Sequence, residues 1–171
     1  EGFPYMVMEF LEGEDLEARL EREGKLVPPL AFQIVLQTAK ALAKAHDLGI
    51  VHRDMKPSNV FLMDVEGDVF VKVLDFGIAK LAGDDPSRMS MTQTGAVIGT
   101  PYFMAPEQMT SAKDAGPSSD VWSLGVIGYR ALTGRLPYEA DTLAGLAMAI
   151  ERGNFPPVSS LVNDLPSGID D

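Results

Sequence analysis

The chain has 171 residues, 46% of them apolar, enough to bury the core of one domain. Its formal net charge of -11, from 25 acidic against 14 basic side chains, argues against nucleic-acid binding, because backbone affinity comes from lysine and arginine. With no cysteine it has no disulfide or thiolate metal site, which fits a reducing compartment, and no apolar run reaches the roughly 18 residues of a membrane span.

In chain order, the acidic run Glu12, Glu14, Asp15, Glu17, Glu21 and Glu23 reads as a solvated helix face, with selection of basic substrates as the rival reading. Pro28 through Leu48 carries Leu30, Ile34, Thr38, Leu42 and Ala45 at helical spacing, and Gly49 follows as a stop, which predicts one long helix. Val60-Phe61-Leu62 and Val69 to Val73, separated by Asp64 to Asp68, predict a hairpin. Ser118 or Ser119 is placed to cap a helix from Asp120 to Thr133 that is apolar nearly all round, and all-round apolarity predicts burial. Asp141 is expected to cap a last helix with a stripe of Leu143, Leu146, Ala147 and Ile150, closed by Gly153. The first residues carry no basic region followed by an apolar stretch and a cleavage site, although a signal lying upstream would not be visible.

The chemistry concentrates in His52-Arg53-Asp54-Met55-Lys56-Pro57-Ser58-Asn59 and in Asp75-Phe76-Gly77 beyond the hairpin. Two carboxylates, an amide, a lysine and an arginine on neighbouring loops suit Mg-ATP and phosphoryl transfer, a reaction that needs positioning and charge neutralisation more than covalent help. Magnesium is a hard ion, and Asp75 with the amide oxygen of Asn59 offers it oxygen ligands. Asp54, five residues before Asn59, can then face the incoming hydroxyl and take or orient its proton, a role usually worth about 10² to 10⁴ in rate. Lys56, a compact point charge, suits a place beside the transferred phosphate. Taken alone, Asp54 and Asn59 would read as loop residues bonding their own backbone. The register with Asp75-Phe76-Gly77 displaces that reading.

These residues, together with Gly99-Thr100-Pro101-Tyr102-Phe103-Met104-Ala105-Pro106-Glu107 and Asp120-Val121-Trp122-Ser123-Leu124-Gly125, resemble the ordered motifs of Hanks-type protein kinases, in particular the bacterial Ser/Thr branch. The resemblance implies an α+β, mainly helical fold: a kinase large lobe with short β-hairpins. Tyr5 to Gly13 resembles the last small-lobe strand and the hinge, so residues 1–13 are expected to be that strand and hinge and residues 14–171 the large lobe, cut before its final helices. No glycine-rich loop, strand lysine or helix-borne glutamate precedes them, so the small lobe is expected to be absent and the fragment alone inactive. Tyr5, Met6, Val7 and Met8 would then form an uncovered apolar strand edge, and Glu107 would lack the arginine that kinases supply from beyond this chain.

The resemblance further implies that His52 is structural, stacked with Phe76, and that Asp120 holds the backbone around His52 and Arg53. Arg53 would receive a phosphorylated activation segment, with Thr92 and Thr94 as autophosphorylation sites and Lys80 as a weaker second cation. Thr100 would bond Asp54 and Lys56. At the nucleotide pocket, the backbone of Glu9 and Leu11 would meet adenine, Met8 would sit at the back, Asp15 near the ribose, and Phe61 under adenine, where leucine or methionine is the usual residue. The implied activity is transfer of the ATP γ-phosphate to Ser or Thr hydroxyls of proteins, with Mg2+ as cofactor. The parent is expected in the cytoplasm, with a homodimer for autophosphorylation and a membrane anchor elsewhere in it both compatible with the resemblance. A catalytically silent scaffold and a small-molecule phosphotransferase of related fold stand as the alternatives.

Overall fold

A computed structural model of the chain describes residues 7–76 and 101–170. Residues 7–11, expected to open on a strand, take no regular structure, and Val7, Met8 and Phe10 are exposed. The first strand is the short β1, Glu14–Asp15, and α1, Leu16–Glu23, follows at once because Asp15 Oδ1 accepts the Ala18 N–H at 2.9 Å and caps it.

The acidic run is therefore not one solvated helix face, because much of it is spent on arginine. Glu14 pairs with Arg19 at 2.5 Å and with Arg22, Arg19 also reaches Glu23, and Glu17 takes both guanidinium nitrogens of Arg130 at 2.5 and 2.8 Å. The hydrogen bond from Arg22, with Arg19 behind it, holds the Glu14 carboxyl at about 2, well below the usual 4.5.

Helix α2 runs Pro28–Asp47 and buries Ala31, Ile34, Thr38, Leu42 and Ala45, the predicted stripe shifted from Leu30 to Ala31 at its start. Leu48 closes it, and Gly49 follows at φ 75°. Strands β2, Val60–Val65, and β3, Asp68–Val73, form an antiparallel hairpin, and β1 adds to the free edge of β2 with Asp15 opposite Phe61. The hairpin turn is tighter than the sequence suggests. The ladder continues to the Val65–Asp68 pair, so Glu66 and Gly67 alone make the turn, both at positive φ (57° and 91°). The outward backbone groups of β3 are covered by α2: Gln37 donates to the Val69 carbonyl at 2.8 Å and accepts the Val71 N–H at 3.0 Å.

Two helices begin differently from the sequence expectation. After the short α3, Pro106–Thr110, helix α4 is Pro117–Thr133, with Gly116 at its N-cap and Pro117 in its first turn, three residues before the expected start at Asp120. Ser119 does not cap it as supposed; its hydroxyl accepts the Gly116 N–H at 3.2 Å and donates to Glu107 at 2.7 Å. The last helix, α5, is Leu143–Arg152, capped by Thr142 and not Asp141: Thr142 Oγ1 accepts the Gly145 N–H at 3.0 Å, and Gly153 ends the helix in the left-handed region.

The core gathers Leu16, Leu20, Ile34, Leu62, Phe103 and Ile127 with their neighbours, and α2 crosses α4 where a Cβ on Gly128 would stand 3.3 Å from Val35. Burial of α4 is incomplete. Val121 is 63% exposed and opens a groove also lined by Trp122, Tyr138 and Phe155.

Candidate active site

The loop after α2 carries His52 to Lys56, and the buried Asp120 of α4 fixes its backbone. Asp120 Oδ2 accepts the His52 N–H and Oδ1 the Arg53 N–H, each at 2.8 Å, and His46 Nε2 at the end of α2 donates to Oδ2 at 2.7 Å. These bonds hold Arg53 at φ 66°, a left-handed conformation that costs a non-glycine residue about 1 to 3 kcal/mol.

His52 is fully buried and joins the two loops. Its Nε2 donates to the Leu74 carbonyl at 2.7 Å, its Nδ1 accepts the Asp54 N–H at 3.3 Å, and its ring lies 5.0 Å from that of Phe76. Both nitrogens are thereby assigned, which defines the neutral tautomer with hydrogen on Nε2. Leu74 is gripped from the other side as well, since its N–H donates to the Asn59 carbonyl at 2.9 Å. With the preceding peptide held at both ends, Asp75 stands exposed at φ 52°.

Asn59 ends a 3₁₀ turn begun by Pro57 and donates its side-chain N–H to the Asp54 carbonyl at 2.7 Å, which leaves the amide oxygen as its acceptor toward a ligand. Lys56 Nζ lies 3.1 Å from Asp54 Oδ2. The donor set offered by Asn59 and Asp75 is all oxygen and so fits a hard divalent ion such as Mg2+. Among the described residues no group of three or more His, Cys, Asp or Glu side chains converges on a common point.

The segment expected to be the hinge lies against the same hairpin. Phe61 of β2 is half-buried, and Gly13 crosses it so closely that a Cβ would meet Phe61 Cε1 at 3.0 Å. The Glu9 carboxylate pairs with Lys72 of β3, Met8 is exposed, Leu11 is half-buried, and Asp15 spends one oxygen on its helix cap. Glu107 accepts hydrogen bonds from Ser119 and Ser118, the Ser119 bond above all lowering its carboxyl below the usual value. Thr92, Thr94, Thr100 and Lys80 lie outside the described residues.

Two contributors escape the sequence reading. Gln108 of α3 donates to the Arg53 carbonyl at 2.9 Å and accepts the Ala105 N–H at 3.1 Å, tying α3 to the loop. His46 is the other. His46 follows the buried Ala45, Gln108 lies on a helix with no buried residue, and their partners lie 74 and 55 residues away, so no local pattern marks either.

The family model described as the protein kinase domain matches residues 2–159. The chain belongs to the protein kinase family. It is 44% identical over 159 residues to the serine/threonine-protein kinase Pkn1 of Myxococcus xanthus, covering 92% of this chain and 22% of that protein. Over 165 residues it is 44% identical to the serine/threonine-protein kinase PknA of Mycobacterium tuberculosis, covering 96% of this chain and 36% of that protein. Among solved structures, the crystal structure of Rad53 1-466 in complex with AMP-PNP is similar at a TM-score of 0.67 and 31% identity, covering 88% of this chain and 35% of that one. The chain thus spans about a fifth to a third of the length of these relatives. The kinase-like, mainly helical fold is borne out, and the small-molecule phosphotransferase alternative finds no support.

Proposed function

We propose that the chain is the end of the small lobe with the hinge, residues 1–13, and the large lobe, residues 14–171, of a serine/threonine protein kinase that transfers the γ-phosphate of ATP to protein hydroxyls. The observation that carries this is the locking of two loops into one unit. His52 and Asn59 grip Leu74 from both sides and so hold Asp75 beside the Asp54–Asn59 loop.

In this reading Asp54 accepts the hydrogen bond of the acceptor hydroxyl and takes its proton as the oxygen attacks. Lys56, beside Asp54, balances charge on the transferred phosphoryl group. Asn59 and Asp75 would hold Mg2+, which when bound neutralises the phosphate oxygens. Glu9 and Leu11 offer backbone groups to adenine, with Met8, Asp15 and Phe61 around it. Arg53 receives a phosphorylated Thr92 or Thr94, and Thr100 orients Asp54 and Lys56. Asp120, His52, Phe76 and Glu107 hold the frame. Serine/threonine acceptors are favoured by Lys56 in the loop and by relatives named for that activity. No helix among the described residues is long and apolar enough to cross a membrane. We place the domain in the cytoplasm of a longer, self-phosphorylating parent.

The test is transfer from ATP with Mg2+ by the full-length protein to a generic basic protein, followed by phosphoamino-acid analysis. Phosphoserine or phosphothreonine supports the reading; phosphotyrosine alone overturns the acceptor assignment, and no transfer by folded protein puts the scaffold reading first.

A further inference from the structure

We propose that Gln108 of α3 is a positioning residue of the phosphoryl-transfer site, a single amide that both docks α3 and sets the peptide leading into Asp54; this rests on the kinase reading above. Helix α3 has five residues and buries none of them, so apolar packing does not seat it. Gln108 seats it by two bonds whose partners leave the amide one orientation. The Ala105 N–H only donates, at 3.1 Å to Oε1, and the Arg53 carbonyl only accepts, at 2.9 Å from Nε2. The first bond caps α3, and the second reaches 55 residues back along the chain.

The Arg53 carbonyl and the Asp54 N–H belong to one planar peptide unit, so a grip on either end sets the plane of both. His52 Nδ1 takes the N–H at 3.3 Å, long for such a bond, whereas Gln108 holds the carbonyl at 2.9 Å. Arg53 stands at φ 66°, a strained conformation that persists only where its surroundings hold it, and the Gln108 bond holds the carbonyl end of that residue. On the far side of Asp54, the Asn59 amide donates to the Asp54 carbonyl at 2.7 Å. The proposed base is thus carried between two side-chain amides, and of these Gln108 is the one supplied from outside the loop. Lifting α3 removes the upstream amide and lets the Asp54 carboxylate swing away from the acceptor hydroxyl. Docking of α3 and aiming of the base are therefore one event.

Gln108→Glu separates the two bonds, because a carboxylate still accepts the Ala105 N–H and has no hydrogen for the Arg53 carbonyl. Its charge in the first turn of α3 favours the helix, so stability should not fall. In the full-length protein, Gln108→Glu should melt within about 2 °C of wild type or higher, keep KM for ATP within about twofold and lose roughly 10-fold in kcat. Gln108→Ala, which loses both bonds, should fall as far in kcat and melt lower as well. A glutamate variant with kcat within about twofold of wild type overturns the proposal, and so does a kcat loss accompanied by a melting drop as large as alanine's, which marks a merely structural role. Amide hydrogen exchange at Asp54 gives a readout independent of activity and should quicken in both variants. Unchanged exchange in Gln108→Glu contradicts the role of Gln108 even if the wild type transfers no phosphate, whereas quickened exchange beside an inactive wild type upholds the positioning and sinks the kinase reading alone.

Discussion

Replacing Gly13 by alanine tests how the proposed hinge is seated on the hairpin. Gly13 sits at φ 148°, and a Cβ there would stand 2.1 Å from the Leu62 carbonyl oxygen and 3.0 Å from Phe61 Cε1. Comfortable contact needs about 3.5 Å, so the two backbones would have to part by more than about 1 Å. Overpacking of this kind costs about 1 to 3 kcal/mol, and forcing a side chain into that region of backbone space costs a similar amount. At about 2 to 4 °C per kcal/mol for a domain of this size, the melting temperature of Gly13→Ala should fall by roughly 5 to 20 °C. Gly24 is the control, because it also has positive φ (76°) but nothing within 4 Å of a Cβ. Gly24→Ala should therefore bear the strain alone and fall less. Thermal unfolding of both variants, with nucleotide affinity measured alongside, reads the difference. Gly13→Ala melting within about 2 °C of wild type with unchanged nucleotide affinity would refute the close approach of Gly13 to β2.

Other expectations follow from individual contacts. Because Arg22 and Arg19 hold the folded Glu14 carboxyl at about 2, below its ordinary 4.5, its contribution to stability is present above pH 4.5 and lost as pH falls toward 2. Melting curves of wild type and Glu14→Gln should therefore converge over that window, and a constant gap would contradict the ion pair. Gln108→Ala removes bonds to the Arg53 carbonyl and the Ala105 N–H and should cost roughly 1 to 2 kcal/mol of stability together with transfer rate, read by chemical denaturation and single-turnover assay; unchanged values in both would contradict the link from α3 to the loop. Mass spectrometry of the active full-length protein should find phosphate on Thr92 and Thr94, and both unmodified would remove Arg53 from the regulatory role.

How much could be read from the sequence depended on the reach of the interaction. The apolar period of α2 gave its length to within one residue, because burial of Ile34, Thr38, Leu42 and Ala45 is a local property of spacing. The hairpin was legible too, but polar Asp64, Glu66 and Asp68 suggested a longer loop than the backbone ladder allows. Helix starts were misassigned where a polar residue serves a distant partner. Ser119 serves Glu107, Asp120 serves the backbone of His52 and Arg53, and Pro117 had already begun the helix. In the acidic run only Glu17 was misread for the same reason, since its partner Arg130 lies 113 residues away, whereas Glu14 meets Arg19 and Arg22 within its own neighbourhood. At the site, motif spacing named Asp54, Lys56, Asn59 and Asp75. His46 and Gln108 had no local pattern to mark them, because their significance lies in what α4 and the loop bring to them.

The central claim is that Asp54 serves phosphoryl transfer on a frame built by other residues. A single-turnover comparison of the full-length protein with its Asp54→Asn variant, at matched fold and ATP·Mg2+ affinity, tests it most directly. The account predicts that the variant binds nucleotide as wild type does and loses transfer by about 10² or more. Transfer within a few-fold of wild type would contradict it.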